Sequence, residues 1–246
     1  MIAPLVVFVA AIAMMSVEAI RPGRHWPRVA GWWLRAALLN SVQTASVLLA
    51  GVTYDRWLRA HRPWAADGLG LAGGALTGYL AITFIYYWWH RWRHASPLLW
   101  RWLHQVHHSA QRIEVATSFY KHPAEILANG LLSSAILYLL VGLAPPAAAL
   151  AVALTGLAEL FYHWNVATPR WLGYVVQRPE SHCVHHEQGL HAFNYSDLPL
   201  WDMLFGTFRN PARWDARCGF GGGGERRLLQ MLRGLDVSAE GAGGGR

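Results

Sequence analysis

Long apolar stretches alternate with short, arginine-rich polar ones along most of the chain. Five stand out: Ile2–Ile20, Leu34–Thr53, Leu69–Trp89, Ile126–Leu143 and Pro146–Trp164. Each is close to the roughly 20 residues that a helix needs to cross the hydrocarbon core. The pattern therefore predicts about four to five membrane-spanning helices and an all-α fold. Only Ala144 and Pro145 separate the last two stretches, and Pro146 opens the second. Proline ends one helix and is tolerated in the first turn of the next, so these two form a tight hairpin. The first stretch has no basic residue before it, and Arg21, Arg24 and Arg28 follow it directly. That arrangement fits a retained anchor better than a cleaved signal peptide.

Charge orients the spans. With the N-terminus outside, the loop bearing Arg21, Arg24, Arg28 and Arg35 is inside. The loop with Arg56, Arg59 and Arg62 is then outside, and residues 91–125 and everything after 165 are inside. Only three of the 21 Lys and Arg then lie outside, as the positive-inside rule requires. Composition agrees: the 246 residues are 54% hydrophobic and only 14% charged, with 14 Trp. Soluble domains carry roughly 25% charged residues, and Trp favours membrane–water interfaces. Topology accounts for the net charge of +7, and no nucleic-acid partner is expected. Cys183 and Cys218 fit no zinc or redox spacing; Cys183 is expected to pack as a small hydrophobe.

The chain changes character after Gly219. Gly219–Gly224 reads as a flexible linker. Glu225–Val237 reads either as a short interfacial amphipathic helix or as a weakly ordered tail. Gly241–Arg246 is expected to be disordered. The division that follows is 1–68 for the N-terminal spans, 69–218 for a chemically active unit, and 219–246 for the tail.

The candidate chemistry is histidine. Nine of the 13 histidines form three clusters and one outlier: His90 and His94; His104, His107 and His108; His182, His185 and His186; and His163. Helical residues at i, i+3 and i+4 share a face. Each cluster adjoins an apolar stretch, and an even number of spans separates the second from the third, so all face one side. Imidazole suits iron, zinc, copper and nickel. Nine nitrogens exceed the four ligands of one structural zinc and suit two metals with four or five each. His25 and His61 read as interfacial side chains, and His122 and His191 as outer candidates.

Ligating imidazoles need their other nitrogen held. Glu159, one turn before His163, is expected to orient that ring or to ligate, the alternative being a glutamate that snorkels to the interface. Asn165, Asn194, Tyr195, Asp197 and Asp202 are further outer partners. Tyr86, Tyr87, Trp88 and Trp89 are candidate channel walls or an aromatic belt.

Three segments carry a resemblance: His90-Arg91-Trp92-Arg93-His94, Trp102 to Ser109, and Pro179 to His186. With Lys121 to Glu125, His163-Trp164-Asn165 and Asn194 to Thr207, they resemble the membrane fatty acid hydroxylase superfamily over residues 80–210. The resemblance implies a helical membrane enzyme with a dimetal histidine site in a cytoplasmic helical cap. It implies two iron ions, with zinc as a possible substitute, O2, and attack on an unactivated C–H bond of a membrane lipid by hydroxylation or desaturation. The nine histidines above become its ligand set, with Glu159, Asn165 and His191 as catalytic candidates. Relatives have a further histidine near the fifth span where this chain has only His163 with Asn165 nearby.

No flavin, nicotinamide or haem motif is present, so electrons are expected from an external ferredoxin or cytochrome b5-type donor. Arg91, Arg93, Arg101, Arg112 and Lys121 are its candidate contacts, the favoured alternative being that positive-inside topology alone places them there. The Arg, Ala and Gly bias suggests a bacterial inner membrane, with the clusters on the cytoplasmic side. Competing classes fit less well. A metal-binding protein or transporter without oxygenase activity would spread ligands through the membrane. A b-type haem carrier needs two axial histidines, and a zinc hydrolase would show H-E-x-x-H.

Overall fold

A computed structural model describes residues 2–238; the Gly241–Arg246 segment lies outside them. In chain order the helices are α1 Ile2–Ile20, α2 Trp32–Val52, α3 Tyr54–Ala60, α4 Gly70–Ala95, α5 Pro97–Leu99, α6 Gln105–Ser109, α7 Pro123–Ser134, α8 Pro145–His163, α9 Pro179–His185, α10 Pro199–Leu204 and α11 Leu228–Met231. A π-helical turn, Trp100–His104, leads into α6, and another, Ala135–Leu140, extends α7. No strand occurs among the described residues, only an isolated bridge between Glu187 and Cys218.

Five helical stretches are long and apolar enough to cross a membrane: Ala3–Ile20, Trp32–Ala60, Asp67–Ala95, Pro123–Leu140 and Pro145–His163. These are the five read from the hydropathy pattern, and the protein is an integral, multi-pass, all-helical membrane protein. Helix α4 has 26 residues, about 39 Å at 1.5 Å per residue. That exceeds the roughly 30 Å hydrocarbon thickness, and His90 and His94 lie in its last turns.

Packing within the bundle is close where side chains are small. A Cβ on Gly78 would sit 2.7 Å from Leu137 Cδ2 and 3.0 Å from Ala151 Cβ, and one on Gly74 would sit 2.9 Å from Ala147 Cβ. Small residues let two backbones approach where lipid gives no hydrophobic drive to associate. Gly74 and Gly78 thus bring α4 against α8. The C-terminal end of α1 is tied to the rest of the bundle by Glu18. Its buried carboxylate accepts from the backbone N–H of Val115 and of Asn165 (3.0 Å).

The C-terminal segment differs from expectation. Leu228, Met231 and Val237 are buried with Trp32, Ala36, Leu39 and Val106 in one core cluster. Phe220 N–H donates to the Ser109 carbonyl at 3.2 Å, and Glu225 pairs with Arg35 at 2.9 Å. The glycine run is a folded strap across α6, and Leu228, Met231 and Val237 after it pack against protein, while Leu229 and Leu235 stay exposed. An amphipathic pattern specifies an apolar face but not its partner.

Candidate metal centre

The site sits where the C-terminal ends of α4 and α8 meet the short helices α6 and α9. His90 and His94 lie one turn apart at the end of α4, and His163 is the last residue of α8. A π turn with a break at His104 (φ −144°) feeds α6, and Pro179 opens α9 in its first turn. These elements gather all nine clustered histidines into two adjoining groups. One is His90, His94, His104, His108 and His185; the other is His107, His163, His182 and His186.

The division crosses the sequence clusters. In each H-x2-H-H motif the i and i+4 residues enter one group and the i+3 residue enters the other. Thus α6 gives His104 and His108 to the five-histidine group but His107 to the four-histidine group. Helix α9 does the converse with His182, His186 and His185. The groups meet where the His108 and His186 rings stack, 4.3 Å apart and 16° from parallel.

The nitrogen geometry suits metal ions. His104 Nε2 lies 2.8 Å from His90 Nε2 and 3.1 Å from His108 Nε2. In the second group His182 Nε2 lies 3.1 Å from His163 Nε2 and 3.0 Å from His186 Nε2. Metal–imidazole bonds of about 2.0–2.1 Å meeting at right angles put neighbouring nitrogens about 2.9 Å apart. The buried Nε2 atoms of His94 and His185 have no protein partner, although buried polar atoms are otherwise almost always paired. Seven of the nine rings are buried. Burial, reinforced by neighbouring rings, pushes His104, His107, His108, His182 and His186 well below the ordinary imidazole value, with Arg93 adding to it at His104. Burial brings His185 down to about 3. Neutral imidazoles with free lone pairs result, the form that binds metal.

The opposite nitrogens are held. His90 Nδ1 faces the Tyr195 carbonyl at 2.6 Å, His185 Nδ1 the Phe193 carbonyl at 2.7 Å, and His163 Nδ1 the Glu159 carbonyl at 2.9 Å. His104 Nδ1 faces Glu125 Oε1 at 3.0 Å. Each acceptor puts the proton on Nδ1 and turns Nε2 inward. The carbonyls are themselves fixed. Asp202 accepts from Tyr195 N–H (2.8 Å), Ser196 N–H (2.9 Å) and the Thr207 hydroxyl (2.7 Å). Asn194 donates to the carbonyls of Ser181 and Arg209. Left-handed backbone at His191, Phe193 and Asn194 (φ 42°, 67° and 48°) shapes this turn, a conformation rare outside glycine.

The sequence profile described as fatty acid hydroxylase matches residues 75–207, which include all nine histidines. The chain belongs to the fatty acid hydroxylase family. Alkylglycerol monooxygenase from Homo sapiens is 28% identical over 136 residues, covering 54% of this chain and 30% of that protein. Ornithine lipid hydroxylase OlsE from Rhizobium tropici is 32% identical over 160 residues, covering 63% and 48%. Sphingolipid C4-hydroxylase sur2 from Schizosaccharomyces pombe is 27% identical over 129 residues, covering 51% and 44%. The match thus spans less than half of each of these relatives. No solved structure matches the chain.

Within this fatty acid hydroxylase domain the outer candidates separate. His191 touches the site, its Nδ1 lying 3.1 Å from His108 Nδ1. The Glu159 side chain instead pairs with Lys121, leaving its main-chain carbonyl to hold His163. Asn165 is turned away: its side chain bonds both backbone groups of Arg24, at 2.9 Å each, and fixes the loop after α1. His122 caps α7 by accepting from Ala124 N–H at 3.0 Å. The Asp197 carboxyl is raised to about 7 by burial and then by Glu159. Cys183 packs with Ile113, Trp214 and Cys218. Glu125, one turn after His122 in the sequence, is a further partner of the site, set against His104 Nδ1. Arg93, Lys121 and Arg112 are engaged with Glu125, Glu159 and Glu114, which leaves Arg91 and Arg101 of the basic residues singled out for a donor.

Proposed function

We propose that the protein is a di-iron, O2-dependent oxidoreductase that hydroxylates an unactivated C–H bond of a membrane lipid. The observation that carries this is the pair of converging imidazole groups at the adjoining C-terminal ends of two membrane helices. Iron bound there supplies O2 activation and the oxidising power that C–H attack demands. The nine histidines hold the ions, and the Tyr195, Phe193 and Glu159 carbonyls and the Glu125 carboxylate keep the rings aimed. Burial of the rings excludes stray water. Insertion of one oxygen atom into C–H consumes O2, two electrons and two protons, and releases water. No flavin or haem motif supplies those electrons, so an external donor does, of the ferredoxin or cytochrome b5 class. In a bacterial inner membrane the positive-inside rule puts the site on the cytoplasmic side.

The surroundings favour a lipid substrate. Phe84 and Trp88 are exposed on α4, and Trp201 and Phe205 continue that surface with ring contacts of 5.0 and 4.8 Å. A lipid can approach sideways with its tail still in hydrocarbon. The names of the relatives, monooxygenase and lipid hydroxylase, favour hydroxylation over desaturation. A transporter would need ligands along the membrane depth, whereas all nine sit at one end. Mass spectrometry of lipid extracts from a deletion strain and its complement tests the reading. The complemented strain is expected to regain a lipid one oxygen atom heavier than its precursor, dependent on iron and O2. A product lighter by two hydrogens would make the protein a desaturase. Unchanged lipids with metal still bound would refute the oxygenase reading.

A further inference from the structure

Two buried charges stand against one ring of the five-histidine group. Glu125 is fully buried, and its Oε1 lies 3.0 Å from His104 Nδ1. Arg93, 4% exposed, forms an ion pair with that same oxygen, and its NH1 lies 3.1 Å from the same Nδ1. Glu125 Oε2 and Arg93 Nε have no hydrogen-bond partner, and the Arg93 guanidinium otherwise rests over the Trp89 ring, 5.7 Å from its centroid. The four-histidine group has no such arrangement among the described residues. His163 Nδ1 rests on a neutral carbonyl, and the Nδ1 atoms of His107, His182 and His186 have no partner.

We propose that Glu125 and Arg93 act as an opposed pair of positioning residues that sets the reduction potential of the metal held by the five-histidine group, through His104. A carboxylate accepting the Nδ1 proton pushes electron density toward Nε2 and favours the more highly charged, oxidised metal. A guanidinium at the same nitrogen does the reverse, and in a low-dielectric site both effects are strong. The pair thereby makes the two metals electronically unequal. His104 is the only ligand with an ionic partner on its far nitrogen among the described residues.

The inference rests on the iron reading above, and the test separates the two. Iron-loaded wild-type protein in lipid nanodiscs is examined first by metal analysis and Mössbauer spectroscopy. Absence of two irons per chain would sink the functional reading itself. Given two irons, Mössbauer-monitored redox titration compares Glu125→Gln, Arg93→Met and the double variant. Gln keeps the volume and one acceptor oxygen, so a purely structural role predicts no change in potential. The proposal predicts a higher potential for Glu125→Gln, a lower one for Arg93→Met, and a return toward wild type in the double variant, all at one iron only. Chelator competition should show that iron held about 10- to 100-fold more weakly in Glu125→Gln. If Glu125→Gln does not fold, Arg93→Met against the double variant still isolates Glu125, and the single variant must be the lower. Shifts of the same sign in both single variants, equal shifts at both irons, or no shift overturn the proposal.

Discussion

Two neighbours in the sequence, His107 and His108, belong to different groups, and this can be tested by deletion. His107→Ala leaves three imidazoles in the four-histidine group, whereas His108→Ala leaves four in the other. Four-ligand zinc sites bind with about 10–16 kcal/mol, so one ligand is worth about 3 kcal/mol. At 1.4 kcal/mol per factor of ten, that is a weakening of a little over a hundredfold. His107→Ala should therefore release one metal to a chelator about a hundredfold more readily and leave the other unchanged. His163→Ala should affect that same metal. His108→Ala and His185→Ala should affect its neighbour, and less severely, because four imidazoles remain. The assay is chelator competition on cobalt-substituted protein, with the visible spectrum reporting which group has changed. If His107→Ala and His108→Ala weakened the same metal, the crossed assignment would be wrong.

Asp202→Asn replaces an acceptor of three hydrogen bonds by a group with one acceptor oxygen and a misplaced donor. Charged hydrogen bonds contribute about 1.5–3 kcal/mol each, so the loop should loosen by about 3 kcal/mol and metal affinity fall about tenfold through His90; unchanged affinity would show that the Tyr195 carbonyl needs no such support. Stability of the metal-free protein should fall with acid. The buried histidines have depressed values when folded and titrate near 6.5 when unfolded, so below about 6.5 the unfolded chain binds more protons. Each such group costs about 1.4 kcal/mol per pH unit from there toward its folded value, and thermal melts equal at pH 7.5 and 5 would contradict this.

The spans and the nine histidines were legible because both depend on local pattern. Span length follows from apolar run length, and clustered histidines share a helix face whatever lies beyond it. The crossing of His107 and His185 was not legible. On an isolated helix i, i+3 and i+4 look alike, and only the placement of α6 against α9 gives the third residue a different destination. Glu159 showed the same limit: an acid one turn before a ligand has several partners within reach, and Lys121 takes the carboxylate. Glu18 and Glu125 act on residues far away in sequence, the first on Val115 and Asn165, the second on His104. The tail misled because the pattern that would bury Leu228 and Met231 in lipid buries them equally well against Val106.

The crossed histidines also bear on the spacing of the two groups. The short helices α6 and α9, with the residues that flank them, each serve both groups. The separation between the groups is therefore set by the fixed i, i+3 and i+4 geometry of two helical turns and not by the length of a loop. A rigid-body shift of either helix carries ligands of both groups together and leaves that separation nearly the same.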